Sequence, residues 1–273
     1  MSKIKNDKYY TPIDLANYCW DKVLEIVGEE NITEIIEPSV GDGSFLHHRK
    51  EIPHFAYDIE PECESNFTKI FKQDFLKTDI KYLEGRLIIG NPPYGNYLNL
   101  AQKFYKKSVE IADIIAFILP ISQLNNSNSL YEFDLIHSED IGIRSYSGVN
   151  LHCCFNIYKR PKSRKLNKKN NYKLNDVTLI EYRRDGKVHN IPNNYDYAIG
   201  TYGAGCVGKE IKNIGQYSIE CYFYINNKKI KDEVLKLIKT TDWKKLSKGI
   251  SNNYRLPQWR IYKHIKDNIK DIN

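Results

Sequence analysis

No stretch of this sequence stays apolar for long enough to cross a bilayer. The opening segment MSKIKNDKYYTP is polar and basic, with no apolar run behind it, which speaks against a secretory leader. Six cysteines stand at positions 19, 63, 153, 154, 206 and 221. They form no CxxC pair, and no His cluster lies near them at ligand spacing. Neither a metal site nor the PCxxC of a zinc deaminase is therefore expected. A Gly-Lys-Ser/Thr run is absent, which excludes a P-loop. No PD…(D/E)xK signature is evident, which argues against a fused nuclease, and no internal repeat is present. These absences leave a soluble, cytoplasmic protein with reduced thiols as the expectation, with no membrane and no metal as partners.

What is present is a chain of 273 residues, 41% apolar, enough for one large core or for one core with an appendage. Its net charge of +7 makes a polyanion a reasonable partner. Residues 12–27 carry Leu15, Cys19, Val23, Ile26 and Val27 at helical spacing, with Thr11 as cap and Pro12 in the first turn. Short strands are expected within the segments 32–46, 55–61, 70–78 and 86–94. A helix is expected in 98–112, and a buried strand closed by Pro120 follows. This alternation predicts an α/β fold with a parallel sheet and helices on its faces. Strands in 141–161 close the sheet as a hairpin. The segment 159–173 holds eight Lys or Arg and reads as a solvated linker or basic loop. The expected division is 1–160 and 161–273. In the second part, 176–192 reads as a hairpin around Asp185-Gly186, 217–225 as a strand, and 229–246 as a helix with Ile230, Val234, Leu237 and Ile238 on one face.

The chemistry-bearing residues stand where these strands end. Glu37 and Pro38 close the first strand, and Gly41 and Gly43 permit a tight turn and close backbone approach to a ligand. The flanking acids Glu37 and Asp42 disfavour a phosphate there and favour a cationic or neutral nucleoside. Asp58 ends the second strand, well placed for ribose hydroxyls, and Ile59 can pack on a purine. Asp74, followed by Phe75, ends the third strand and can accept from an adenine amino group. Three acids in this order favour a nucleoside such as S-adenosylmethionine, although each alone is as well explained as a turn or cap residue. After the fourth strand come Asn91, Pro92, Pro93 and Tyr94. The Asn91 side-chain oxygen and the Pro92 carbonyl are acceptors that cannot ionise. The prolines fix the loop, and Tyr94 looks exposed and offers a stacking face. Such a loop suits a flat, amino-bearing ring.

These motifs resemble the adenine-specific (N6) amino-methyltransferases of DNA, in the gamma-type order with an NPPY tetrapeptide. YYTP (9–12) resembles their N-terminal cofactor motif and EPSVGDGSFL (37–46) their cofactor loop. YDIE (57–60) and QDF (73–75) resemble the ribose and adenine contacts, and NPPY (91–94) the catalytic tetrapeptide. The resemblance covers about the first 160 residues. It implies a Rossmann-like S-adenosylmethionine-dependent methyltransferase sheet and a small C-terminal α+β target-recognition module. Tyr10, Thr11 and Pro12 would line the methionine end of the cofactor. Phe155, in CCFNIYKRP, is similar to the late-strand aromatic that packs on the target base.

By this resemblance the substrate is double-stranded DNA, whose adenine is flipped out for methylation. A restriction-modification system or an orphan phage methylase, with a specificity or restriction partner protein, is its setting. Lys159, Arg160, Arg164, Lys165, Arg183, Arg184, Lys209 and Arg255 are the DNA-contact candidates, with Lys187, Tyr254 and Arg260 beside them. Each is equally well read as a solvated charge. NPPY is shared with rRNA base methyltransferases and with release-factor glutamine methyltransferases. The latter carry a preceding helical domain, for which a cofactor motif at residue 9 leaves no room. An rRNA base amino-methyltransferase and a catalytically silent nucleic-acid binder stay open as alternatives.

Overall fold

The computed structural model describes residues 9–46, 51–185, 192–247 and 254–273. The chain divides into two compact units, Met1–Lys169 and Asn170–Asn273. The boundary falls nine residues beyond the expected 160. Asn167 explains the difference: its N–H donates to the Glu132 carbonyl and its side chain to Asp134, tying the basic segment to the first unit.

The first unit opens with α1 (Ile13–Val27), whose buried residues Leu15, Ala16, Cys19, Trp20, Val23 and Val27 follow the helical period. Pro12 itself is the cap residue, so Thr11 does not cap the helix as expected; its hydroxyl is engaged elsewhere. Strands β1 (Glu34–Glu37), β2 (His54–Asp58), β3 (Lys69–Lys72), β4 (Arg86–Gly90), β5 (Ile114–Pro120), β6 (Asp134–Tyr146) and β7 (Val149–Lys159) form one sheet in the order β3-β2-β1-β4-β5-β7-β6. Strands β1 to β5 run parallel, and β7 enters antiparallel between β5 and β6. The result is a mostly parallel, Rossmann-like α/β sheet whose last two strands form an antiparallel hairpin. The central strands β4 and β5 are buried along their whole length, as a continuous apolar run requires.

The expectation of helices on both faces holds only in part. Among the described residues α2 (Asn99–Ile111) is the sole α-helix between the parallel strands. The connections from β2 to β3 and from β3 to β4 carry none. The first of these, 59–68, is ten polar-rich residues with Pro61 inside it, too short and too interrupted for a stable helix.

The second unit is α+β. β8 (Val177–Arg183), β9 (Tyr197–Gly200) and β10 (Ile219–Ile225) form an antiparallel sheet in the order β8-β10-β9. Val177, Leu179, Ile199, Cys221 and Phe223 of its inner face pack with residues of α3 (Lys231–Thr240), α4 (Trp243–Leu246) and α5 (Gln258–Asn268). β8 pairs with β10 in antiparallel register. The predicted hairpin turn at Gly186, and Lys187, lie outside the described residues. The single helix expected over 229–246 is broken at Thr241–Asp242, where the Asp242 carboxylate accepts from the Lys245 N–H and starts a new turn.

Candidate active site

β1 and β4 are parallel neighbours, yet their onward connections lead to opposite sides of the sheet. That divergence opens a crevice at their carboxyl ends. The loops leaving these strands are joined there by a hydrogen bond from the Ser39 hydroxyl to the Asn91 carbonyl (3.2 Å). A hollow of about 260 Å³ occupies the crevice. Of the residues singled out in the sequence, Tyr10, Thr11, Glu37, Pro38, Gly41, Asp58, Ile59, Asp74, Phe75, Asn91 and Pro93 line it. Pro12, Gly43, Pro92 and Tyr94 do not. Tyr9, Ser39, Gln73, Leu100 and Phe104 line it although the sequence reading does not single them out. Tyr9 and Gln73 stand beside chosen residues in YYTP and QDF, and Phe104 lies on the apolar stripe of α2, so the available signal is adjacency rather than residue type.

The wall is acidic. Asp58 Oδ2 accepts from the Gly41 N–H (3.0 Å) and its Oδ1 from the Glu60 N–H (2.9 Å), so this carboxylate holds the glycine loop in shape. Gly41 sits at φ 52°, and a side chain there would also press within 3.3 Å of the Tyr10 ring. Asp74 accepts from the Leu76 N–H and caps a short turn. Glu37 is different. It is 1% exposed, and its Oε2 has no hydrogen-bond partner. Burial, and then the nearby Asp42 and Asp58 carboxylates, push its pKa well above the ordinary glutamate range.

Asn91 is fixed by its amide nitrogen. Nδ2 donates to the Tyr9 carbonyl (3.1 Å) and to Thr11 Oγ1 (3.2 Å). That orientation leaves Oδ1 buried and without a partner. The segment 9–11 is pinned across the hollow by further bonds. The Tyr10 N–H donates to Ser147 Oγ, its hydroxyl to Glu62, and the Ser44 hydroxyl to the Thr11 carbonyl.

Four expectations are corrected. Tyr94 is buried, not exposed: the Tyr9 ring stacks on it (centroids 6.2 Å, 19° between planes), and its hydroxyl meets Cys153 Sγ at 3.6 Å. Phe155 is fully buried within β7. It pairs with Ile118, two residues inside the sheet edge where Pro120 pairs with Cys153, so strand register keeps it off the rim. Arg160 is not a surface cation. Its guanidinium pairs with Asp113 (2.9 Å) and donates to the Val109 and Ala112 carbonyls at the end of α2. Arg164 joins the same carboxylate. Lys159, Arg160 and Arg164 thus stand by the start of β5, at the edge of the sheet opposite the hollow. Lys165 is exposed in the segment that follows.

In the second unit Arg183 and Arg255 share the two oxygens of Glu181 (2.7 and 2.9 Å), whose single charge offsets one of their two. Arg184 donates to the Gly215 carbonyl, and Lys209 is exposed. Among the described residues no group of three or more His, Cys, Asp or Glu is placed to hold a metal, and no helix is long and apolar enough to cross a membrane.

No family model matches the chain, and no curated protein resembles it in sequence. Among solved structures it is similar to a proposed RNA methyltransferase from Pyrococcus horikoshii (13% identity, TM-score 0.45, covering 58% of this chain and 90% of that one). It is also similar to a proposed class I S-adenosylmethionine-dependent methyltransferase from Listeria monocytogenes (10%, TM-score 0.44, covering 58% of this chain and 62% of that one). A third is magnesium protoporphyrin IX methyltransferase from Synechocystis PCC 6803, solved with its cofactor (11%, TM-score 0.41, covering 55% and 81%). At these identities the likeness concerns fold alone.

Proposed function

We propose that this chain transfers a methyl group from S-adenosylmethionine to the exocyclic N6 amino group of adenine in DNA. The observation that carries the reading is the Asn91 amide: its nitrogen is tied down, and its buried oxygen is left with nothing to accept from. A buried acceptor without a donor costs about 1–3 kcal/mol, and an incoming amino group removes that cost.

The hollow suits the cofactor on its own chemistry. Glu37 presents a buried, unpartnered oxygen, the Gly41 backbone leaves room that a side chain would fill, and four carboxylates face a ligand with two cationic centres. When bound, S-adenosylmethionine supplies an electrophilic sulfonium methyl. Glu37 and Asp42 would hold its amino-acid end, Asp58 the ribose hydroxyls, Ile59 a face of the purine, and Asp74 the purine amino group. Tyr10 and Thr11 would close over the methionine end.

Asn91 Oδ1 then accepts an N–H of the target amine and draws the nitrogen lone pair out of conjugation with the ring. The N6 nitrogen would be the nucleophile toward that methyl, with the thioether as leaving group and the surplus proton passing to water. A general base is not required. Tyr94 does not supply one, since burial raises its hydroxyl pKa well above the ordinary value. Its ring is the stacking surface, which the target reaches once Tyr9 moves off it. The chain's positive charge supports a nucleic acid as the macromolecular substrate.

The test is tritiated methyl transfer from S-adenosylmethionine to mixed-sequence duplex DNA, ribosomal RNA and protein extract. Label recovered as N6-methyladenine from DNA is expected. Asn91→Ala should lower transfer by about 100-fold or more while calorimetric cofactor affinity survives. Label recovered from RNA alone would move the activity to an rRNA base, and wild-type turnover by Asn91→Ala would overturn the mechanism.

A further inference from the structure

Three residues past the NPPY tetrapeptide the backbone does something that costs free energy. Tyr97 (φ 53°, ψ 33°) and Leu98 (φ 67°, ψ 11°) occupy the left-handed region one after the other, preceded by Gly95 at φ 68°. Glycine or asparagine sits there readily; tyrosine and leucine do not. The strain does not serve to bury either side chain. Leu98 is half-buried, and Tyr97 is as exposed as in an extended chain, at 101%. It is the most exposed of the large apolar residues among those described.

Its position is defined by what flanks it. Pro93 and Leu100 both line the hollow, and the Tyr94 carbonyl accepts from the Leu100 and Ala101 N–H groups to close the loop. Tyr97 is thus at the tip of a short, tied loop whose two ends form the wall of the candidate site. A strained, tied loop presents its side chain in a restricted set of directions, which saves ordering entropy when something binds to it.

We propose that Tyr97 is a wedge: an aromatic side chain held at the rim to enter the gap that the target base leaves in a duplex. The proposal rests on the reading of the hollow as a site for a base taken out of its stack. A base that leaves exposes the faces of its neighbours, and an inserted aromatic ring covers them again. The gap exists only in a duplex, so the contribution of Tyr97 is confined to duplex substrate.

The test compares methyl transfer to plasmid DNA with transfer to the same DNA heat-denatured, using wild type, Tyr97→Ala, Tyr97→Phe and Tyr97→Asn. Stacking of one base on an aromatic ring sets the expected loss in Tyr97→Ala at about 5- to 100-fold in kcat/KM on duplex. On denatured DNA the loss should be under about threefold, below the weakest stacking contact on the same scale. Tyr97→Phe keeps the ring and should keep the duplex rate. Tyr97→Asn should lose the duplex rate while melting at or above the wild-type temperature, because asparagine relieves the left-handed strain; a merely structural tyrosine would melt lower when replaced. Equal losses on both DNA forms, or none on either, overturn the wedge and leave the methyltransferase reading standing. Wild type that methylates neither form, with cofactor binding intact, overturns that reading and the wedge with it.

Discussion

Replacing Glu37 by Gln should make the ligand-free protein more stable at neutral pH and a poorer binder of cofactor. Glu37 lies at the end of β1, 1% exposed, with Oε2 lacking a donor and with Asp42 and Asp58 nearby. Desolvation is the main reason its pKa lies above the ordinary glutamate value of 4.5, and the two carboxylates add to it. A raised folded-state pKa means that, between the two values, the folded chain holds a proton that the unfolded chain has released. The unfolded state therefore binds fewer protons, and stability falls as pH rises through that window. Every tenfold difference in proton affinity between the folded and unfolded chain corresponds to about 1.4 kcal/mol. An unsatisfied buried polar group sets a comparable scale of about 1–3 kcal/mol.

The assay is urea denaturation of wild type and Glu37→Gln at intervals from pH 4 to pH 8. The two should coincide near pH 4, where both side chains are neutral. They should separate as pH rises, the variant reaching an advantage of about 1–3 kcal/mol, or roughly 1 M in urea midpoint. The difference between the proteins isolates Glu37 from every other titrating group. With the carboxylate gone, cofactor affinity should fall about tenfold or more, as for a lost charge-assisted contact. A variant less stable than wild type at pH 7.5, or a pH-independent difference, would refute the argument that Glu37 is an uncompensated buried acid.

Two further outcomes follow from the same geometry. Tyr9→Ala uncovers the Tyr94 ring, so single-stranded oligonucleotides should bind about two- to tenfold more tightly by fluorescence anisotropy; unchanged affinity would mean that Tyr9 does not cover the base position. Arg160→Ala strips Asp113 of its more buried cationic partner and leaves the Val109 and Ala112 carbonyls without their donor. It should cost about 3 kcal/mol in urea denaturation and leave the salt dependence of DNA binding untouched, whereas a shallower salt slope would return Arg160 to the DNA contacts.

Much of the first unit is legible in sequence because its signals are local. The strands that carry Glu37, Asp58 and Asn91 are apolar runs ended by glycine, acid or proline, and those punctuation marks are also the site. Strand order brings them together by a rule that needs no side-chain detail. The misreadings involve long-range partners. Phe155 reads as a rim residue because its motif lies late in the fold, but register with Ile118 decides its depth. Arg160 reads as a free cation because nothing near it in sequence is acidic; its partner Asp113 is 47 residues away. Tyr94 looks exposed because its cover, Tyr9, belongs to a segment 85 positions earlier. Helix α5 is hard to see because Pro257 and a polar-rich face hide the stripe of Ile261, Tyr262 and Ile265.

The division of the chain at Lys169 has an electrostatic consequence. Residues 1–169 carry 22 Lys and Arg against 23 Asp and Glu, whereas residues 170–273 carry 19 against 11. The whole positive excess belongs to the second unit. The first, with its acid-lined hollow, has no net attraction for a phosphate backbone. Under the proposed function, capture of the nucleic acid would fall to the second unit and methyl transfer to the first. Rising salt should weaken the hold on the polyanion while sparing the handling of a small cationic ligand.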